Sequence, residues 1–254
     1  MSSKTHLVLI TGATGGIGRA TAIVLAREGH DLALHYNSAS QDTVNDLVSA
    51  ASEAARERHL SPQIKTFKAD LSDLDAVRKL HEEVTSSLGN PSVLFLNAGS
   101  TAGLSGVKSL SDVSMDAFEQ TWRVNTASPF LLAQLCLPAM ESAGSGRIIF
   151  NSSVAGLTGG VVGPHYASSK SAIHGLVHWL AGSVATKGIT VNAVAPALIE
   201  KTTMLPSGGE ELAKKIPVGR FGQPEEIAET VLWMVKTAYV TNKIIAVDGG
   251  MVPR

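Results

Sequence analysis

Tyr166 and Lys170 stand four positions apart in the stretch Tyr166-Ala167-Ser168-Ser169-Lys170, and Ser153 precedes them. On a helix, residues at i and i+4 share a face with about 5–6 Å between Cβ atoms. A free phenol, with a pKa near ~10, is a poor proton carrier at neutral pH. A nearby ammonium favours the phenolate, and lowering the pKa by ~3 units takes ~4 kcal/mol of differential stabilisation. Lys170 together with a cationic nicotinamide ring would supply it. Tyr166 could then give a proton to a carbonyl oxygen as hydride reaches the carbon. Ser153 would hydrogen-bond the same oxygen and place fixed polarity where charge develops. Taken alone, Tyr-x-x-x-Lys is more often a surface pair on a helix. Here it opens a helix directly behind a long loop carrying Ser152-Ser153.

A second signal is Thr11-Gly12-Ala13-Thr14-Gly15-Gly16-Ile17-Gly18, which joins the first strand to the first helix. Its glycines allow a sharp turn and close backbone approach to a ligand. The helix start then offers free N–H groups and a positive dipole end to a pyrophosphate. The pattern is not GxGxxG, because position 14 is Thr14. It is not a Walker A loop, because Arg19-Ala20 follow Gly18. Motifs of the HExxH, CxxC and GxSxG kind are absent, so zinc and serine-hydrolase chemistry have no support and no metal is expected.

These residues need a scaffold, and the hydrophobic pattern supplies one. Short runs at 7–11, 32–35, 64–68, 93–97, 147–151, 190–195 and 244–247 read as strands, and most are continuous apolar runs, as strands covered on both faces are. Helical stretches near 17–28, 41–59, 74–88, 115–141, 165–186 and 224–236 lie between them. Ser72 and Pro224 mark helix starts, and Gly29 and Gly188 mark helix stops. The alternation predicts right-handed βαβ units. The expected fold is α/β, Rossmann-type and doubly wound: one domain over 1–254 with a mainly parallel seven-stranded sheet and helices on both faces. Loops 98–113, 152–164 and 196–209 each follow a strand end, the edge where open α/β sheets bind ligands.

The ordered set of motifs resembles the short-chain dehydrogenase/reductase family over essentially the whole chain. The set runs from the glycine turn through Asn97-Ala98-Gly99, Asn125, Ser153, Tyr166 to Lys170 and Val191-Asn192-Ala193-Val194-Ala195-Pro196. It ends with Pro217 to Ala228 and Val247-Asp248-Gly249-Gly250. The last two stretches look most like the 3-oxoacyl-acyl carrier protein reductase type. The resemblance implies a catalytic set of Ser153, Tyr166, Lys170 and Asn125, with Asn125 supporting a water chain to the lysine. It implies that Lys170 also binds the nicotinamide ribose, that Asp70 with Leu71 meets the adenine, and that Asn97 ties strands together near the cofactor. The expected cofactor contacts are Gly12, Thr14, Gly16, Ile17, Gly18, Tyr36, Asn37, Ser38, Asp70, Leu71, Asn97, Ala98, Gly99, Tyr166, Lys170, Pro196, Ala197, Ile199 and Thr202. A substrate loop is expected over about 196–216, and specificity over 100–108, 154–165 and 198–210.

Three departures from that pattern stand out. Ala197 replaces the glycine usual after Pro196. The stretch Leu198-Ile199-Glu200-Lys201-Thr202-Thr203-Met204 carries one extra residue, so the contacting threonine is Thr202 or Thr203. Of two basic positions that dock an acyl carrier protein, Lys187 is present and the other is Gly144, which argues against that partner.

The end of the second strand, Tyr36-Asn37-Ser38, lacks the acidic residue that an NAD enzyme places against the ribose 2′-hydroxyl. NADP(H) is therefore the expected cofactor, with NAD(H) second. No basic residue stands at Gly15, and Arg19 is the only candidate to swing towards a 2′-phosphate. His165 is expected either near substrate or solvated, and Cys136 in the core. The apolar positions Ile173, Leu176, Val177, Trp179, Leu180 and Val184 cover more than one face of their helix. With the family resemblance, they suggest a homotetramer paired through helices 165–186 and 115–141.

The 254 residues hold 21 Lys plus Arg, 22 Asp plus Glu and one cysteine. A net charge of −1 without a basic run argues against nucleic-acid binding. A single cysteine excludes an internal disulfide. No apolar stretch approaches the ~20 residues of a membrane span, and no targeting signal is read at either end, so a cytoplasmic location is expected. The functional expectation is an NADP(H)-dependent oxidoreductase interconverting a ketone and a secondary alcohol. The alternatives are reduction of a 3-oxoacyl thioester and, from another class, a non-catalytic NADP(H)-sensing partner protein.

Overall fold

The strands are β1 Leu7–Ile10, β2 Asp31–Tyr36, β3 Ile64–Lys68, β4 Val93–Leu96, β5 Gly146–Asn151, β6 Ile189–Pro196 and β7 Lys243–Val247. They pair in parallel as one sheet, in the order β3-β2-β1-β4-β5-β6-β7. Every residue of β4 and β6 is buried, whereas the edge strands β3 and β7 are partly open. Central strands read as unbroken apolar runs because helices cover both their faces. The computed structural model describes residues 5–205 and 209–252. Positions 1–4 and 253–254, and the 206–208 part of the expected substrate loop, lie outside the described residues, as do the side chains of 209 and 210.

The helices are α1 Gly16–Arg27, α2 Gln41–Arg56, α3 Leu74–Leu88, α4 Met115–Trp122, α5 Ser128–Ala143, α6 Ala155–Thr158, α7 Pro164–Val184, α8 Gly209–Ala213 and α9 Pro224–Lys236. One apolar layer joins α1, α2 and α9 to the sheet, and a second joins α3, α5 and α7 to its other face. On α3 the buried positions Val77, Leu80 and Val84 form one stripe at helical spacing. This is the single-domain, doubly wound Rossmann-type fold that the sequence predicts. Among the described residues no helix is long and apolar enough to cross a membrane, and no cluster of side chains suits a metal ion.

The structure corrects several local expectations. The expected continuous helix 115–141 is broken by a π-turn at Arg123–Ala127, which separates α4 from α5. Such widened turns mark functional positions, and this one contains Asn125. The cap of α3 is Asp73, whose carboxylate accepts from the Asp75 N–H at 2.9 Å. Ser72 instead donates its backbone N–H and hydroxyl to Asp70. α2 ends at Arg56, because His59 takes a left-handed backbone with φ of 58°. The helices α6 and α8 are too short for their periodicity to be read from sequence. At α9 the expected Pro224 start holds, with Gln223 and Glu226 bonded reciprocally across the first turn.

The strand order reverses between β1 and β4, which opens a crevice at their C-terminal ends. His35 near the end of β2 fixes one wall. The Gly12 N–H donates to its Nδ1 at 3.1 Å, so the proton resides on Nε2, which donates to the Ala69 carbonyl at 3.1 Å. The imidazole thereby ties the glycine turn to the chain leaving β3. Burial pushes the His35 pKa down to about 4 from 6.5. The unfolded chain takes up this proton below pH 6.5 and the folded chain does not, so stability is lost as pH falls from 6.5 towards 4. At ~1.4 kcal/mol per pH unit the full effect is about 3 kcal/mol. In His35→Asn this contribution disappears. Urea titrations between pH 7 and 4.5 should show a shallower loss of stability for the variant than for the wild type, and equal slopes would refute the assignment.

Candidate active site

A cleft of about 590 Å³ runs along the C-terminal strand ends. Its wall includes Gly12, Thr14, Gly16 and Ile17 from the glycine turn, Asn37 and Ser38 after β2, and Asp70 and Leu71 after β3. Asn97, Ala98 and Gly99 line it after β4, and Pro196, Ala197, Ile199 and Thr202 after β6. Ser153 and Tyr166 face the same space. Thr203 lines it beside Thr202. Ala197 needs no glycine, because its backbone is not left-handed.

Some expected contacts lie elsewhere. Tyr36 does not line the cleft, whereas His35 and Asn37 on either side of it do. Successive side chains along a strand point to opposite faces, and Tyr36 takes the other one. Gly18 lies behind the turn, where a Cβ would sit 2.3 Å from the Gly12 carbonyl oxygen. Its missing side chain lets α1 pack directly against the loop. Arg19 pairs with Asp46 of α2 at 2.9 Å, so it is held away from the role of phosphate clamp. His165 is buried within the first turn of α7 and bonded to the Thr101 carbonyl, neither solvated nor on the cleft wall. Cys136 is in the core, and burial pushes its thiol up to about 12.

The reacting groups are positioned from below. Lys170 is buried one turn beyond Tyr166 on α7, with Nζ 5.7 Å from the phenol ring centroid. Nζ donates to the Asn151 carbonyl at 2.7 Å. The Asn151 side-chain amide donates to Asn97 Oδ1 at 2.9 Å, and Asn97 Nδ2 donates to the Thr11 and Gly12 carbonyls at 2.9 and 3.1 Å. One polar chain therefore links Lys170 to the glycine turn. Asn125 Oδ1 accepts from the Ser100 N–H at 2.7 Å, while its Nδ2 donates to the Ser100 carbonyl at 2.9 Å and to Ser169 Oγ at 3.0 Å. It clamps the loop after β4 onto α7.

Burial pushes the Tyr166 phenol up to about 12, against a smaller lowering by its hydrogen bond with Ser153. The lowering expected from Lys170 together with a nicotinamide ring is not present in the protein alone, where desolvation dominates. Burial also lowers Lys170, to about 8. The protein by itself thus holds a neutral phenol, the form that donates a proton.

Sequence reasoning missed His35, Asn151 and Gln120, all on the cleft wall, whereas Met204 falls within the stretch expected to set specificity. Asn151 had a legible signal. It follows Phe150 as Asn97 follows Leu96, and those two residues are in register on neighbouring strands.

A profile of the short chain dehydrogenase family matches residues 6–212. The chain is 33% identical over 257 residues to 3-oxoacyl-[acyl-carrier-protein] reductase FabG of Thermotoga maritima, covering 99% of this chain and 100% of that one. Among solved structures it is similar to the NADH-dependent reductase A1-R′ responsible for alginate metabolism, with TM-score 0.87, 26% identity and 100% of each chain covered. It is also similar to a blue fluorescent protein from a metagenomic library in complex with NADPH, with TM-score 0.85, 31% identity and 100% of each chain covered. The chain belongs to the short-chain dehydrogenase/reductase family. It is an oxidoreductase of the kind that acts on carbonyl and alcohol groups with NAD(P)(H).

Proposed function

We propose that this protein is an NADP(H)-dependent carbonyl reductase that interconverts a ketone and a secondary alcohol. The observation that carries this reading is the presence of Ser153 and Tyr166 on one cleft wall, with Lys170 buried beneath them and the glycine turn in the same cleft. The fit of a dinucleotide rests on the start of α1. Its cap, Gly15, has no side-chain hydrogen bond, its first turn has no acidic residue, and Gly15, Gly16 and Ile17 face the cleft. The Gly15 N–H is taken by the Gly12 carbonyl at 3.2 Å, which leaves the N–H groups of Gly16 and Ile17 and the positive dipole end for a pyrophosphate. When bound, the cofactor supplies or accepts the hydride.

In this reading Ser153 and Tyr166 hydrogen-bond the substrate oxygen. Tyr166 passes its proton to that oxygen as negative charge develops on it, and the Lys170 ammonium stabilises the phenolate that remains. Lys170 would also hold the ribose of a bound nicotinamide. Asn125 is a positioning residue, keeping Ser100 and Ser169 in place around the lysine. The complete set of reacting groups argues against a non-catalytic sensor. Likeness to FabG favours a thioester substrate as the second reading. Against docking of a carrier protein, Lys187 is paired with Glu141 at 2.7 Å and Gly144 offers no charge.

Tyr166→Phe should lower turnover by ~10²–10⁴ while leaving NADPH affinity near wild type. Reduction by the wild type should hold up to about pH 8 and decline above it as Lys170 loses its charge. Stopped-flow NADPH oxidation checks both, and near-normal turnover in the variant would refute the proton-donor role.

The NADP(H) preference is supported by the wall after β2, where Asn37, Ser38 and Ala39 present no carboxylate. Asp31 is at the other end of that strand, bonded to the Gln63 N–H. Asn37→Asp should move the kcat/KM ratio towards NADH by about tenfold, the effect of ~1.4 kcal/mol. A wild type that uses NADH equally well would overturn the preference.

A homotetramer is supported by side chains left open on α5 and α7. Phe130 is 48% exposed and Trp179 is 72% exposed. Phe118, Trp122, Phe130 and Leu176 line an apolar groove. Light scattering at micromolar concentration should give four times the chain mass, and a stable monomer would refute it.

A further inference from the structure

The residue before Tyr166 is a histidine that the proton-transfer reading leaves unused. His165 is buried in the first turn of α7 and is not on the cleft wall. Its Nε2 lies 3.0 Å from the Thr101 carbonyl oxygen, which can only accept, so the ring donates there and its proton resides on Nε2. Nδ1 is then a bare acceptor, and among the described residues it has no hydrogen-bond partner. A buried polar atom left unpaired is costly, and an apolar side chain of similar shape would avoid that cost. The bond to Thr101 is therefore the reason for an imidazole at this position. Thr101 follows Ser100, which lines the cleft and whose backbone N–H and carbonyl are both held by Asn125. Beyond it, the N–H groups of Ala102 and Leu104 turn back to Ser100 Oγ and the Thr101 carbonyl. Val107 then ties the loop outward, donating its N–H to the Val162 carbonyl at 3.1 Å. Beside that bond a Cβ on Gly163 would lie 2.9 Å from both His165 Cε1 and Val107 Cβ, so the two loops and the ring pack in direct contact.

We infer that His165 is a positioning residue for the substrate: it pins the loop after β4 to the turn of α7 that carries Tyr166, and so sets the width of the cleft between Ser100 and the phenol. The inference rests on the carbonyl-reductase reading above. His165 and Tyr166 are neighbours in one helical turn, so a bond from His165 fixes the loop relative to the phenol itself. The start of the same loop is held from the other side, where the N–H groups of Asn97 and Ala98 both donate to Thr11 Oγ1 at 2.9 and 3.0 Å. Thr11 thus holds the loop beside the glycine turn, and Asn125 and His165 hold it beside Ser153 and Tyr166. Releasing the His165 bond loosens the substrate wall and leaves the glycine turn as it is. Ser100, Val124 and Met204 give that wall no charge, so a ketone there takes its orientation from the shape of the wall. The loop bounds the ketone without touching the oxygen that takes the proton. Its loss therefore weakens ground state and transition state alike, which raises KM and spares kcat.

The test compares the full-length wild type with His165→Phe and His165→Gln. Phenylalanine keeps a ring and removes the donor, whereas the glutamine amide carries an N–H at the reach of Nε2. Three quantities are read: hydrogen–deuterium exchange over 98–108, NADPH affinity by fluorescence titration, and steady-state reduction of ethyl acetoacetate and acetoacetyl-coenzyme A at saturating NADPH. In His165→Phe exchange should quicken over 98–108 and stay unchanged over the glycine turn. KM for the reduced probe should rise about fivefold, the scale of one hydrogen bond, with kcat and NADPH affinity within about twofold of wild type. His165→Gln should recover most of both changes. Unchanged exchange or unchanged KM in His165→Phe overturns the inference. A fall in NADPH affinity matching the rise in KM also overturns it, since the ring would then support the whole cleft. Changes that glutamine does not recover overturn it as effects of ring shape, and an unfolded His165→Phe overturns it as a support of the whole fold. A wild type that binds NADPH and reduces neither probe would instead overturn the carbonyl-reductase reading, while exchange over 98–108 would still decide whether His165 pins the loop.

Discussion

The side chain of Asn97 joins two structures that would otherwise drift independently. It donates to the carbonyls of Thr11 and Gly12 and accepts from Asn151, whose own carbonyl receives the Lys170 ammonium. The glycine turn and the group of Ser153, Tyr166 and Lys170 come from elements far apart in sequence. Their separation in space is set by this polar chain at the point where the strand order reverses. Buried hydrogen-bonded networks hold their geometry because an unpaired member would be costly. Lys170 and the glycine turn are thus parts of one assembly.

Burial has opposite signs for the two groups that handle the proton. It raises Tyr166 to about 12 and lowers Lys170 to about 8. Each shift favours the neutral form, so at neutral pH Tyr166 is an un-ionised phenol while Lys170 keeps its charge and begins to lose it near pH 8. A positive nicotinamide would change that balance, favouring the phenolate when the reaction runs towards the ketone. The protein alone is set for proton donation.

The wall of the cleft divides by chemistry. Around the glycine turn it consists of backbone and small polar groups, suited to phosphates. Around Ser153 and Tyr166 it adds Ser100, Gln120, Val124 and Met204, a mixed and uncharged surface. Among the described residues Asp70 is the one acidic residue on the wall, and it accepts from Ser72 while lining the cleft. The same residue therefore serves as a turn former and as part of the surface expected to meet the adenine.

Much of this was legible in the residues themselves. Mostly continuous apolar runs marked the central strands because a strand buried on both faces is chiefly apolar, while the edge strands β3 and β7 are partly open. The spacing of Tyr166 and Lys170, and the glycines before α1, are local patterns whose meaning depends on a few neighbouring residues. Other features depended on contacts between distant segments. Nothing in the helical stretch 115–141 announces that Asn125 bonds Ser100 and Ser169, or that the helix widens around it. His35 reads as one more strand residue until Gly12 and Ala69 are seen on its two nitrogens. Tyr36 reads as a cofactor contact until the alternation of the strand turns it away. His165 becomes notable only when its ring meets the Thr101 carbonyl. Sequence determines periodicity, turns and residue chemistry because these act over a few positions. Tertiary structure decides which polar atoms meet, and therefore which groups are buried, paired or left free to act.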